Sequence, residues 1–277
     1  MRRQRLLVVA LSLCVCSTLA AHDLFLKLAD FFVDTSKEVQ VRALNGTFTT
    51  SENPIARSRV ADLSLVGPLG REQLDTARLS AAGTSTTIRA RVGPAGTYVM
   101  GLSTRPSQIT LAGKQFNEYL KEEGLGQVLE ARTKAKELDK GATERYAKHV
   151  KTIFQAGRHR SDSYAKVLGY PVEIVPLRNP YDLVEGDTLR VRVLVNGAPG
   201  RGIETIAGGR TAAGAAIRAV ALRSDSTGVV PVVLRAAGTW YVKFISMKHV
   251  TEPNVDYVSQ WATLTFAVLR RSPGKGS

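Results

Sequence analysis

Leu189, Val191, Val193 and Val195 recur at every second position and alternate with Thr188, Arg190 and Arg192. A period of two puts one set of side chains on one face of a strand and the other set on the opposite face. Asn196-Gly197 follows at once, a pair suited to a tight hairpin turn. The pattern returns at Ile88, Ala90 and Val92, which alternate with Arg89 and Arg91. Gly93-Pro94-Ala95-Gly96 then signals a turn, and Thr97 to Leu102 is expected as the partner strand. Trp240, Val242 and Phe244 alternate again after Gly238. Leu24 to Leu28, Val39 to Leu44, Val60 to Val66, Val229 to Leu234 and Val258 to Val268 are further strand candidates. Strands at this spacing, with turns between them, predict a mainly β chain built of β-sandwich domains.

The middle of the chain reads differently. Lys114 to Glu123, Leu125 to Leu138 and Ala142 to Gln155 are rich in helix formers, with breaks at Gly124 and Gly141. Ala142, Tyr146, Val150, Ile153 and Phe154 form an apolar stripe at helical spacing. The expected organisation is therefore a β-sandwich over residues 22–110, a helical segment over 111–165 and a second β-sandwich over 166–277 ending in a short polar tail. Hydrophobic residues make up 44% of the 277, enough to fill a real core, so disorder along the whole chain is excluded.

Residues 1–21 have the layout of a secretory signal peptide. Arg2, Arg3 and Arg5 precede the apolar run Leu6 to Cys16, and small residues close the segment up to Ala21. The run is too short to span a bilayer. Cleavage after Ala20 or Ala21 would leave His22 second or first, in a periplasmic protein. Both cysteines, Cys14 and Cys16, leave with the leader, which excludes thiolate metal sites and a cysteine nucleophile. Loss of the three arginines lowers the formal charge from +14 to +11. Lysines and arginines are spread along the chain, so an exported basic surface is expected and a nucleic-acid partner is not. After the leader, no apolar run is long enough for a transmembrane helix.

Catalytic motifs are scarce: no G-x-S-x-G elbow, phosphate-binding loop or H-E-x-x-H is present. Histidine is the informative residue type, because only His22, His149, His159 and His249 occur. At a mature N-terminus, His22 could chelate a divalent metal together with the free α-amine, which gives up its proton at modest cost. Nitrogen chelates of this kind suit Cu(II) or Ni(II), and Asp23 could add an oxygen. His249 lies five residues beyond Phe244 on the face of Tyr241 and Lys243, where a second imidazole could be reached. Arg158 and Arg160 surround His159 with charge that opposes a metal. His149 reads as packing or surface, and Met100 and Met247 as core filler.

Ala21-His22-Asp23-Leu24-Phe25-Leu26 resembles the mature start of a family of exported bacterial proteins. Gly169-Tyr170-Pro171-Val172-Glu173-Ile174-Val175-Pro176-Leu177-Arg178-Asn179-Pro180 is similar to that family's central signature. Gly186 to Leu194, the Asn196-Gly197-Ala198-Pro199 turn, Asp225 to Gly228 and Gly238-Thr239-Trp240 continue the likeness. The family is the domain of unknown function 4198, often described as a periplasmic component of nickel or cobalt uptake. The resemblance implies immunoglobulin-like β-sandwich domains and a non-enzymatic role in holding Ni(II) or Co(II), with a membrane metal-uptake system as partner. His22, and less directly His249, map onto metal-associated positions. Leu24-Phe25 reverses the usual aromatic-first order, and Ala21 precedes the histidine. Two alternatives stay open: a structural or adhesive envelope protein without metal, and a copper histidine-brace oxidase.

Overall fold

The computed structural model describes residues 22–272. The leader expected over residues 1–21 lies outside the described residues. The fold is mainly β, with three sheets and two α-helices, α1 (Gly113–Glu122) and α2 (Gly126–Lys134). Most strand expectations hold, and the Asn196-Gly197 turn has positive φ at both residues, 51° and 76°. That is the mirror-image turn whose twist matches two antiparallel strands.

A ten-stranded sheet forms the middle of the molecule. Its strands run in the order 216–223, 204–211, 238–252, 255–268, 142–156, 96–104, 60–67 and 70–73, with two short strands added on 142–156. Gly238–Glu252 and Val255–Val268 form a long antiparallel hairpin. Val255–Val268 then pairs in parallel with Ala142–Ala156. One face of this sheet carries a four-stranded sheet of 23–28, 38–46, 85–91 and 79–82. Thr263 and Thr265 donate from that face to the carbonyls of Leu24 and Leu26. The helices continue this layer: Phe116, Tyr119 and Leu120 of α1 pack on Tyr257 and Trp261. The opposite face carries the small sheet of 172–176, 188–195, 198–199 and 229–233. Alternation assigns these faces, because Lys151 is level with Leu264, opposite to Thr263 and Thr265, and meets Glu173 of the small sheet.

Three sequence expectations meet corrections. Ala142 to Gln155 is not a helix but the interior of the fifteen-residue strand Ala142–Ala156. Residues 147 to 156 are buried on both faces and the strand has neighbours on both edges, so period-two alternation is erased. The expected helical segment of 111–165 therefore holds helix only at Gly113–Glu122, Gly126–Lys134 and a short 3-10 turn at Asp162–Ala165. The Gly93–Gly96 turn does not close a hairpin. Ser85–Arg91 belongs to the first four-stranded sheet and Gly96–Thr104 to the ten-stranded sheet, so the chain crosses between layers there. The two halves expected as separate sandwiches share the ten-stranded sheet, and one apolar cluster runs from Leu24 to Val268.

Candidate functional site

The sequence candidates His22 and Asp23 lie where the strand Asp23–Leu28 meets α1 above the ten-stranded sheet. The Nε2 atom of His22 is 2.8 Å from Oε2 of Glu52, a half-exposed residue in the turn after Glu38–Gly46. The imidazole itself is 22% exposed, so solvent reaches the pair. The His22 carbonyl accepts from the Lys148 ammonium, which also donates to Asn45 Oδ1 at 3.0 Å.

Asp23 turns toward the sheet. Its Oδ2 is 2.5 Å from Lys243 Nζ, and Glu123 Oε2 approaches the same ammonium at 2.7 Å. Asp23 Oδ1 is buried without a hydrogen-bond partner. Further along the sheet, level with Tyr257, Glu144 Oε1 accepts from Ser259 and, at 3.2 Å, from Tyr119, while Glu144 Oε2 is also buried and unpartnered. Trp261 donates its indole N–H to Ser259 Oγ at 2.9 Å.

Low polarity and neighbouring charge displace the acid–base balance of this cluster. Burial, reinforced by Asp23, pushes the Glu123 carboxyl up to about 7 against the pull of Lys243. Burial pulls the Lys148 ammonium down to about 8, although the Asp23 carboxylate opposes it. For Lys243 burial also acts downward, but Asp23 and Glu123 together outweigh it and hold the ammonium charged. The arrangement sets two carboxylates, Asp23 and Glu123, on the Lys243 ammonium, while the Lys148 ammonium holds the His22 carbonyl.

His249 does not join this cluster. It sits six residues beyond Lys243 on one strand, about 20 Å away at ~3.3 Å per residue. Its ring packs edge-on against Tyr257, its cross-strand partner, with centroids 5.2 Å apart. His159 is exposed. Among the described residues, no group of three or more histidine, cysteine, aspartate or glutamate side chains has metal-binding spacing.

Sequence reasoning missed Glu52, Glu123, Lys148 and Lys243. Glu52 is thirty positions from His22 and carries no motif. Lys243 sits within a strand pattern and Lys148 within a segment that reads as helix, and in both a charged residue reads as solvent-facing.

The family signature has a structural cause on the other face of the sheet. Glu173 accepts the backbone N–H groups of Leu168 at 2.9 Å, Gly169 at 2.8 Å and Tyr170 at 3.0 Å, and pairs with Lys151 at 2.9 Å. Gly169 has φ of +82°, the left-handed conformation that favours glycine, which bends the chain over that carboxylate. Tyr170 donates to Asp62, which Arg71 holds at 3.0 Å. His149, buried nearby, stands between Ser103 Oγ at 2.9 Å and Gln260 Oε1 at 2.6 Å, and burial lowers its affinity for a proton. A neutral ring with both nitrogens engaged is a packing residue.

The architecture is that of a mainly β, sandwich-like protein whose signature motif caps a buried ion pair. The chain belongs to the family described as Domain of unknown function (DUF4198), whose model matches residues 19–248. No curated protein matches it. Among solved structures it is similar to trypsin-activated alpha-2-macroglobulin from Escherichia coli, at 12% identity and a TM-score of 0.23, over 91% of this chain and 16% of that one. A tetra-tandem repeat in the extending region of a large adhesion protein gives 12% and 0.23, over 89% and 49%. A two fibronectin type-III domain segment from chicken tenascin gives 14% and 0.19, over 86% and 98%. The chain thus spans a minor part of the first and about half of the second, and none of these likenesses bears on what it does.

Proposed function

We propose that this is a periplasmic, non-enzymatic binding protein for a divalent transition-metal ion, serving a membrane uptake system for nickel or cobalt. The observation that carries the reading is the His22–Glu52 pair at 2.8 Å, at the residue where leader cleavage would create a free amine. With cleavage after Ala20 or Ala21, the amine and the near imidazole nitrogen of His22, Nδ1, form the chelate, and Glu52 holds the far nitrogen, Nε2, and orients the ring. Asp23, whose Oδ2 is held by Lys243, would have to turn toward His22 to add an oxygen, since among the described residues these side chains do not stand at metal-binding spacing. The metal is cargo in this reading. Export rests on residues 1–21, and the metal class on the family resemblance. Among the described residues no helix is long and apolar enough to cross a membrane.

The test compares protein exported through its own leader with protein carrying extra residues before Ala21. Ni(II), Co(II) and Cu(II) are titrated into each. One-to-one binding that weakens at least tenfold with the blocked terminus, and again with His22→Ala and Glu52→Gln, is expected. Copper is expected to bind tightest whatever the cargo, because divalent affinities rise toward copper. Equal binding by free and blocked forms would place the metal elsewhere.

A further inference from the structure

The outer face of the small sheet carries a second site, unrelated to the metal reading. Core-facing positions there are Val191 and Val193, both fully buried. The alternate positions should be polar on a solvent-facing sheet surface. Instead Val175 and Leu194, each only 7% exposed, floor a groove of about 430 Å³. Val167 and Leu177 rise from its rim, 54% and 41% exposed, with Pro199 beside them. That volume falls in the range of small-molecule sites, roughly 300–1,000 Å³.

Among the described residues, Arg192 is the one charged residue lining this groove, and no acidic residue lines it. It is the cross-strand partner of Val175, so both side chains stand on the outer face. Among the described residues no carboxylate lies within ion-pair distance of its guanidinium, and the Nε, closed off from the groove, has no hydrogen-bond partner on its own side. The charge that lines the groove is therefore unmatched by the protein, and an apolar wall supplies it no acceptor. The missing acceptor has to be anionic to match the charge. It has to be compact and singly charged, because a single guanidinium faces it. A carboxylate meets the guanidinium fork with two parallel hydrogen bonds. A phosphate dianion would call for a second cationic side chain, and among the described residues none lines the groove. The walls in turn call for an apolar chain behind the headgroup.

We infer that the groove between Val167, Leu177 and Arg192 binds a small amphiphilic carboxylate, with its headgroup on Arg192 and its aliphatic chain along Val175 and Leu194. The ligand is a monocarboxylic acid with a flexible hydrocarbon tail. Specificity comes from the single guanidinium, and most of the binding area comes from the tail.

The test titrates decanoate, below its micelle concentration, into the full chain by calorimetry, with decyltrimethylammonium and decyl phosphate in parallel. Saturable one-to-one decanoate binding is expected. Arg192→Met keeps the side-chain bulk but loses the charge, and should weaken binding about tenfold or more, the scale of a charge-assisted hydrogen bond. Val167→Asp sits on an exposed rim where folding is little affected, and should also weaken decanoate binding. Arg192→Lys should retain part of the affinity. Absence of saturable binding overturns the assignment, as does equal binding by Arg192→Met or by the cationic amphiphile. Tighter binding of decyl phosphate overturns the carboxylate. Self-association that Arg192→Met abolishes, without ligand binding, overturns it in favour of a second copy of the chain.

Discussion

Two buried ionic clusters lie on opposite faces of the same sheet, and they are finished to different degrees. On one face Lys151 and Glu173 are 3% and 1% exposed, and Glu173 is met by three backbone N–H groups and one ammonium. On the other face Lys243 serves two carboxylates, and Asp23 and Glu144 each keep an oxygen with no partner. A carboxylate with its acceptor sites filled is a structural rivet. A set of carboxylates with unfilled acceptor sites is not. Burial alone does not separate the two clusters. Completeness of hydrogen bonding does.

The largest expected effect breaks the finished cluster. Glu173→Ala strips three N–H groups and a buried ammonium of their acceptor, and should cost about 3–5 kcal/mol. In a domain of this size that lowers the melting temperature by roughly 10 °C, read by calorimetry. A variant that melts with the parent protein would show that the signature glutamate does not hold the loop.

Lys243→Met should cost less, about 2–3 kcal/mol near pH 8, because the lysine is partly exposed and only one charge is lost. The remaining carboxylates repel, so the penalty should shrink toward pH 5 as Glu123 takes a proton. Denaturant midpoints at the two pH values measure the difference, and an unchanged penalty would detach Glu123 from Lys243.

Glu123→Gln sharpens the comparison through pH. With the native carboxyl raised from 4.5 to about 7, the folded protein holds a proton that the unfolded chain releases. Stability from this group is therefore highest below pH 4.5 and falls as pH rises to about 7, by at most about 1.4 kcal/mol per pH unit. Urea midpoints across that window should slope downward more steeply for the parent protein than for the variant. Parallel curves would contradict the raised carboxyl.

The smallest effect belongs to His249→Ala. Metal titration should be unchanged, and stability should fall by under about 1 kcal/mol from the lost contact with Tyr257. Loss of metal binding would reinstate His249 as a ligand.

How much of this was legible beforehand differs between the clusters for a physical reason. Half-buried strands announce themselves by alternation, and Thr188–Val195 did so. Ala142–Ala156 did not, because its two faces are both buried and its lysines are absorbed, Lys151 in an ion pair and Lys148 as a donor to the His22 carbonyl and Asn45. Glu173 stood in a recognisable motif, but no sequence rule says that a strand carboxylate will cap a neighbouring loop. His22 and Asp23 were singled out through their place after the expected leader. Glu52 and Lys243 were not, since nothing local ties a turn glutamate or a strand lysine to residues tens or hundreds of positions away. The Gly93–Gly96 turn shows the complementary limit: a turn signal fixes where the chain bends, not which sheet receives the next strand.

The parallel pairing at the centre of the large sheet has a kinetic consequence. Ala142–Ala156 finds its neighbour in Val255–Val268, more than a hundred residues later. A ribosome that has made two thirds of the protein has therefore made no completed middle layer. Loop-closure entropy has to be overcome before that contact gives any return, so the sheet should assemble slowly and late. Until then the strand Ala142–Ala156 presents an open edge that other chains can pair with, and the final fourteen-residue strand acts as the cap that ends this vulnerability.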